Sequence, residues 1–115
     1  VAISGDGGFL YSSQEMSTAV KYGINAVALV FNDNAYGNVL RDQRDLYDGR
    51  TIGAELHNPD FVKLAEAYGV RAERVRGPEE LETALARAAT AGAPSLIEIP
   101  VGIMERPEPR PNLIE

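Results

Sequence analysis

Apolar residues in this chain fall into short unbroken runs that alternate with stretches in which they recur every three to four positions. The runs are Val1-Ala2-Ile3, Ala26-Val27-Ala28-Leu29-Val30-Phe31 and Leu96-Ile97-Glu98-Ile99. Residues 26–31 do not alternate polar with apolar, which is the pattern of a strand buried on both faces of a parallel sheet, and the other two runs also read as strands. Between the first two, Ser12 and Glu15 have capping-box spacing, Met16, Ala19 and Val20 share a helical face, and Gly23 is placed to end the helix. Strand, helix and strand thus fit within about 30 residues, the length of one βαβ unit.

Further along, residues 32–53 carry a thin apolar face, Val39-Leu40 with Leu46-Tyr47, that predicts a short helix flanked by loop. Asn58-Pro59 predicts a helix start with Pro at the first helical position, followed by Phe61, Leu64, Ala65 and Tyr68 on one face up to Gly69. Arg71 to Val75 reads as a short strand, and Pro78 opens a helix carrying Leu81, Ala84, Leu85 and Ala88 that Gly92 stops. The alternation predicts an α/β fold, a doubly wound, mostly parallel sheet with helices on both faces, over residues 1–104. Residues 105–115, with Pro107, Pro109 and Pro111, are expected to form an extended tail. Val1-Ala2-Ile3 reads as a buried strand with nothing leading into it, so the chain is expected to be part of a longer domain.

Composition narrows the chemistry. The 115 residues are 44% apolar and 24% charged, an ordinary globular balance. Eleven Lys and Arg against 17 Asp and Glu give a formal charge of −6 without a basic stripe, which disfavours nucleic acid or an anionic membrane as partner. There is no cysteine, so thiolate chemistry, disulfides and Cys-based zinc sites are excluded, and a cytoplasmic location is expected. The longest apolar run, residues 26–31, falls far short of the roughly 20 residues that span a bilayer.

In open α/β sheets ligands gather outside the carboxyl ends of strands. After the first strand comes Gly5-Asp6-Gly7-Gly8, whose glycines let backbone N–H groups approach a phosphate while Asp6, expected on a surface turn, offers a hard oxygen. After the second comes Asn32-Asp33-Asn34-Ala35-Tyr36-Gly37, again rich in oxygen donors. The ends of the two strands lie about 5 Å apart if they pair directly and about 10 Å apart if one strand intervenes, so Asp6 and Asp33 can face one cation. Oxygen ligands without His or Cys suit Mg2+ or Ca2+, and Mg2+ is generally held by one or two carboxylates plus phosphate oxygens. The run is neither a Walker loop nor a full dinucleotide fingerprint, and Gly-Asp-Gly alone equally fits a plain turn. Its pairing with the second loop favours a metal–phosphate site.

Gly5-Asp6-Gly7, followed at this distance by Asn32-Asp33-Asn34-Ala35-Tyr36-Gly37, resembles the signature of the diphosphate-binding domain of thiamine-diphosphate enzymes. Gln14-Glu15, Arg41 with Gln43, and residues 58–70 are similar to the acetolactate synthase-like branch. The resemblance extends to about Gly102 and implies thiamine diphosphate and Mg2+ as cofactors of an enzyme that decarboxylates or joins 2-oxo acids. It implies Asp6 and Asp33 as side-chain metal ligands and the Ala35 carbonyl as a third. Gly5, Gly7, Gly8, Tyr36 and Gly37 would meet the diphosphate. Asp33 stands where the family commonly has Asn, and Asn32 and Asn34 are the alternatives one residue away. The resemblance also implies that the catalytic glutamate sits on a separate pyrimidine-binding domain or subunit of a homo-oligomer, a dimer or tetramer. The segment then carries no catalytic residue and is inactive alone. A separate-chain decarboxylase of a substituted pyruvate and a non-catalytic diphosphate- or nucleotide-binding module are the competing readings.

Other candidates have plainer explanations. His57, the single histidine, is expected at the surface or in a cap, and Glu15 in the capping box. Arg41, Arg44 and Arg50 alternate with Asp42, Asp45 and Asp48, as a solvated face does. Phe61, Leu64 and Tyr68 are expected in the core.

Overall fold

A computed structural model of the chain describes residues 1–103; the Pro-rich stretch 105–115 lies outside them. In chain order the elements are β1 (Ala2–Gly5), α1 (Asp6–Leu10), α2 (Glu15–Tyr22), β2 (Val27–Asn32), α3 (Gly37–Leu46), α4 (Phe61–Ala67), β3 (Arg71–Arg74), α5 (Pro78–Thr90) and β4 (Ser95–Pro100). The four strands form one parallel sheet in the order β1-β2-β4-β3.

Burial follows strand position. β4 lies between two neighbours, and Ser95 to Ile99 are buried. On one face Val27, Leu29, Ile97 and Ile99 pack with Ala84 and Ala88 of α5. On the other, Val30 and Leu96 pack with Met16 of α2 and with Phe61 and Ala65 of α4, and Phe9 of α1 meets the Phe61 ring edge-on at 5.8 Å. This is the predicted sheet with helices on both faces. Leu64 and Tyr68 pack half-buried at the margin of the second cluster.

β1 departs from expectation. Among the described residues it has β2 as its one sheet neighbour, α5 covers β2 and β4 instead, and Ile3 is 71% exposed. In α3 only Leu40 is buried, while Val39, Leu46 and Tyr47 face outward, so the apolar face is thinner than the sequence suggests.

Helix starts also differ. Ser12 does not cap α2: the N-cap is Gln14, without a side-chain bond, because a succession of turn hydrogen bonds from 15 to 12, 16 to 13 and 17 to 14 carries the chain out of α1. Glu15 is the first helical residue and accepts from the Thr18 hydroxyl. Gly23 does end α2, in the left-handed region at φ +62°. Pro59 is not the first residue of α4; the N-cap is Asp60, whose Oδ1 accepts from the N–H groups of Val62 and Lys63. A carboxylate satisfies two of the orphan donors of a helix start, which fixes the boundary one residue past the proline. No helix among the described residues is long and apolar enough to cross a membrane.

Candidate functional site

Because all four strands are parallel, their carboxyl ends share one edge of the sheet. β1 and β2 pair directly, Gly5 opposite Phe31, so the two loops that follow them emerge side by side. Gly5, Asp6, Asp33, Ala35 and Gly37 line one cleft of about 550 Å³, together with Phe31 and Val101. A second cleft of about 240 Å³ is bordered by Gly7, Gly8 and Tyr36 and shares Asp6, Ala35 and Gly37 with the first. All eight residues singled out in the two loops thus lie at one place.

The first loop is tighter than a turn. Asp6 is the first residue of α1, and both glycines continue the helix. Asp6 is therefore not on a surface turn but 2% exposed. Its Oδ1 accepts from the Gly7 N–H at 2.9 Å and its Oδ2 from the Asn58 amide at 2.6 Å. A β-carbon on Gly7 would lie 2.5 Å from Cε1 of Tyr36, and one on Gly8 3.1 Å from the Ser4 hydroxyl. The glycines are there for close approach, since neither needs a positive φ.

The second loop is held by its own side chains. Asp33 Oδ1 accepts from the Ala35 N–H, and Asn32 Oδ1 from the Asn34 N–H, with Asn34 in the left-handed region at φ 56°. Asn and Asp tolerate such turns because they mimic a backbone acceptor. Ala35 forms an isolated antiparallel bridge with Glu55 whose hydrogen bonds run from Tyr36 N–H to Ala54 O and from Leu56 N–H to Asn34 O. Ala35 and Glu55 are thus a non-hydrogen-bonded pair, so the Ala35 carbonyl points away from the 54–56 segment.

Electrostatics follow from this crowding. Burial, and secondarily the nearby charge of Asp6, hold the Asp33 carboxyl above the ordinary range, against the opposing bond from Ala35 N–H. The Tyr36 phenol lies 3.3 Å from that of Tyr11, and this hydrogen bond raises its pKa. Among the described residues no three His, Cys, Asp or Glu side chains gather into a metal-binding cluster.

Behind the loops runs a polar network that the sequence reading missed. Asn58, read only as a helix start, also donates to Asn32 Oδ1 at 2.9 Å. Asn32 donates to Glu98 Oε1 at 2.8 Å, Arg74 Nε donates to Glu98 Oε2 at 2.8 Å, and Arg74 reaches Asp60 Oδ1 at 3.3 Å. The bond to Glu98 raises the Arg74 pKa. The signal was present: a glutamate inside the apolar run 96–99 demands a partner. The remaining candidates stay outside. His57 is exposed, Arg50 pairs loosely with Asp48 at the surface, and Arg41 is tucked in, its side chain 17% exposed and 3.8 Å from Asp42, unlike the solvated face expected of it.

With this geometry in view, comparison with known proteins is specific. The family described as thiamine pyrophosphate enzyme, C-terminal TPP binding domain, matches residues 1–99. A probable acetolactate synthase large subunit of Methanocaldococcus jannaschii is 41% identical over 100 residues, 86% of this chain and 17% of that protein. The acetolactate synthase of Bacillus subtilis is 40% identical over 101 residues, 88% of this chain and 18% of that protein. A thiamine diphosphate-dependent 4-hydroxybenzoylformate decarboxylase from Rhodococcus jostii superposes with a TM-score of 0.82 at 36% identity, over 90% of this chain and 20% of that one. The chain therefore spans less than a fifth of the length of these two curated relatives.

Proposed function

Because this chain belongs to the thiamine pyrophosphate enzymes, as their C-terminal TPP-binding domain, we propose that its two strand-end loops hold the cofactor's diphosphate through Mg2+ in an enzyme acting on 2-oxo acids. The observation that carries the reading is the placing of Asp6 and Asp33 in one cleft at the ends of directly paired parallel strands.

The residues fit the group. Asp6, Asp33 and the Ala35 carbonyl are hard oxygen donors, and three protein ligands leave room for phosphate oxygens, the arrangement Mg2+ favours. Gly5, Gly7 and Gly8 let the backbone come close to the diphosphate. The Gly7 N–H is taken by Asp6 Oδ1, so the N–H groups of Asp6 and Gly8 are what the first turn of α1 can offer an anion. Tyr36, on the rim of the cleft, and Gly37, which leaves Asp33 its space, border the same region. When bound, thiamine diphosphate supplies the carbon nucleophile for breaking or making a bond beside a carbonyl, and the protein supplies binding, orientation and electrostatics. The activating glutamate is then contributed by a pyrimidine-binding domain or subunit of a homo-oligomeric enzyme working in the cytoplasm.

Similarity to acetolactate synthases favours joining of two 2-oxo acid units. A second reading, decarboxylation alone, draws on the solved structure named as a decarboxylase. Feeding pyruvate to the full-length enzyme and identifying the product, a joined acid or an aldehyde, separates them.

Calorimetry of the full-length enzyme with thiamine diphosphate tests the site. Tight binding should require Mg2+, and Asp6→Asn should weaken it chiefly in the presence of the metal. An Asp6→Asn enzyme that binds cofactor and Mg2+ like the wild type would sink the assignment. Because Asp6 is buried, its thermal midpoint is to be measured alongside.

A further inference from the structure

We infer that Asn58 is a positioning residue: its amide fixes the Asp6 carboxylate in the orientation in which that group meets a divalent cation. The inference rests on the metal role given to Asp6 above.

Three oxygens converge on one nitrogen. Asn58 Nδ2 lies 2.6 Å from Asp6 Oδ2, 2.9 Å from Asn32 Oδ1 and 3.4 Å from Asn34 Oδ1. An amide nitrogen has two hydrogens, so the short pair takes them and the third oxygen shares. The other end of the side chain, Oδ1, is buried without a hydrogen-bond partner. Turning the amide over would set its oxygen against those same three oxygens, so the orphaned acceptor is the consequence of keeping the donor where it is. With Oδ2 held by Asn58 and Oδ1 by the Gly7 N–H, rotation of the Asp6 carboxylate about its Cβ–Cγ bond is fixed from both sides.

Asn58 is itself held by a closed ring. Pro59 restricts the backbone of Asn58 to extended conformations. Asp60 is pinned as the N-cap of α4 and bonded to Arg74; Arg74 bonds to Glu98, Glu98 accepts from Asn32, and Asn32 accepts from Asn58. Arg74 and Glu98 sit opposite each other on β3 and β4, and Asn32 ends β2. The ring therefore ties three strands and one helix to a single amide, and Asp6 hangs from that amide. Groups of this kind, which orient a ligand without touching the metal, typically affect metal affinity by about 10- to 100-fold.

The test uses the full-length enzyme stripped of cofactor, titrated with Mg2+ at fixed thiamine diphosphate and followed by calorimetry, with the melting midpoint of the stripped protein recorded in parallel. Asn58→Ala should raise the Mg2+ needed for half-saturation by about 10- to 100-fold, with binding restored at high Mg2+. Asn58→Gln, which keeps the donor, should recover part of the loss. If Asn58→Ala does not fold, Asn58→Ser, whose hydroxyl is too short to reach Asp6, replaces it with the same expectation. A folded variant that titrates at wild-type Mg2+, whatever its melting midpoint, overturns the positioning role. Wild-type enzyme that binds no thiamine diphosphate at any Mg2+ level overturns the functional reading itself.

Discussion

Gly37 leaves open the space that the Asp33 carboxylate occupies: a β-carbon built on Gly37 would collide with Asp33 Oδ2 and lie 3.3 Å from its Cγ. The two are neighbours because Asp33 folds back to accept from the Ala35 N–H while Gly37 opens α3.

Gly37→Ala should therefore push the Asp33 side chain out of place without harming the helix. Ala is the better helix former by up to about 1 kcal/mol, so the thermal midpoint of the full-length enzyme should hold or rise. The Mg2+ requirement for cofactor binding should climb by about tenfold, the lower end of what disturbed ligand support costs. Unchanged metal dependence would mean that Asp33 adapts and its present placement is not needed.

Arg74 and Glu98 make the second prediction. Glu98 is buried, and replacing Arg74 by Met leaves it with Asn32 as its remaining partner. Removing one member of a fully buried pair costs about 3–5 kcal/mol. Here the Arg74 side chain is half exposed, so a loss of about 1–3 kcal/mol is expected. Chemical denaturation of Arg74→Met measures it, and adding Glu98→Gln should recover part of the loss because the stranded charge is gone.

Which parts of this arrangement could be read from the chain depends on where each signal lies. The run 26–31 and the glycines 23 and 92 act locally, and they form strand β2 and two left-handed helix stops as expected. Asp6 and Asp33 are brought together by the direct pairing of β1 with β2, one of the two spacings that successive apolar runs allow. Asn58 is different: its partners lie 52 and 26 positions away, and nothing in Asn-Pro says that the amide turns toward them. Pro59 was likewise misleading, since a proline suits the first helical position but an aspartate one residue later offers a better cap. The closeness of Gly7 to Tyr36 is also a product of tertiary packing.

Asp60 supplies a pH prediction. The hydrogen bond from Lys63 N–H, aided by the charge of Arg74, lowers its pKa below the ordinary carboxylate value. A depressed folded-state pKa contributes stability above the unfolded pKa, about 3.9, that is lost as pH falls through the folded value. Asp60→Ala should accordingly lower the melting midpoint at pH 7, with the gap to the wild type narrowing as pH falls through the folded-state value. Asp60→Asn, still able to cap, should fall between them. Parallel melting curves at all pH values would show that the carboxylate charge contributes nothing.

Asp33 behaves in the opposite sense, and its substitution is the most informative. Its pKa is raised by burial and by Asp6, so in the metal-free protein the folded state binds its proton more tightly than the unfolded chain does. The resulting stability is present at low pH and is lost as pH rises through the folded value. Asp33→Asn removes that loss while keeping the Oδ1 acceptor for Ala35 N–H, so the metal-free variant should melt higher than the wild type at pH 7, with the gap closing in acid. Two carboxylates beside a diphosphate also repel it unless a cation intervenes. The Asn variant should then bind thiamine diphosphate as well as or better than the wild type and depend less on Mg2+, whereas Asp33→Ala, which loses the oxygen, should not bind. Titrating cofactor into the three full-length proteins at several Mg2+ levels decides between charge and oxygen. If Asn binds as poorly as Ala, the negative charge of Asp33 is itself required, and its equivalence to the asparagine common at this position fails.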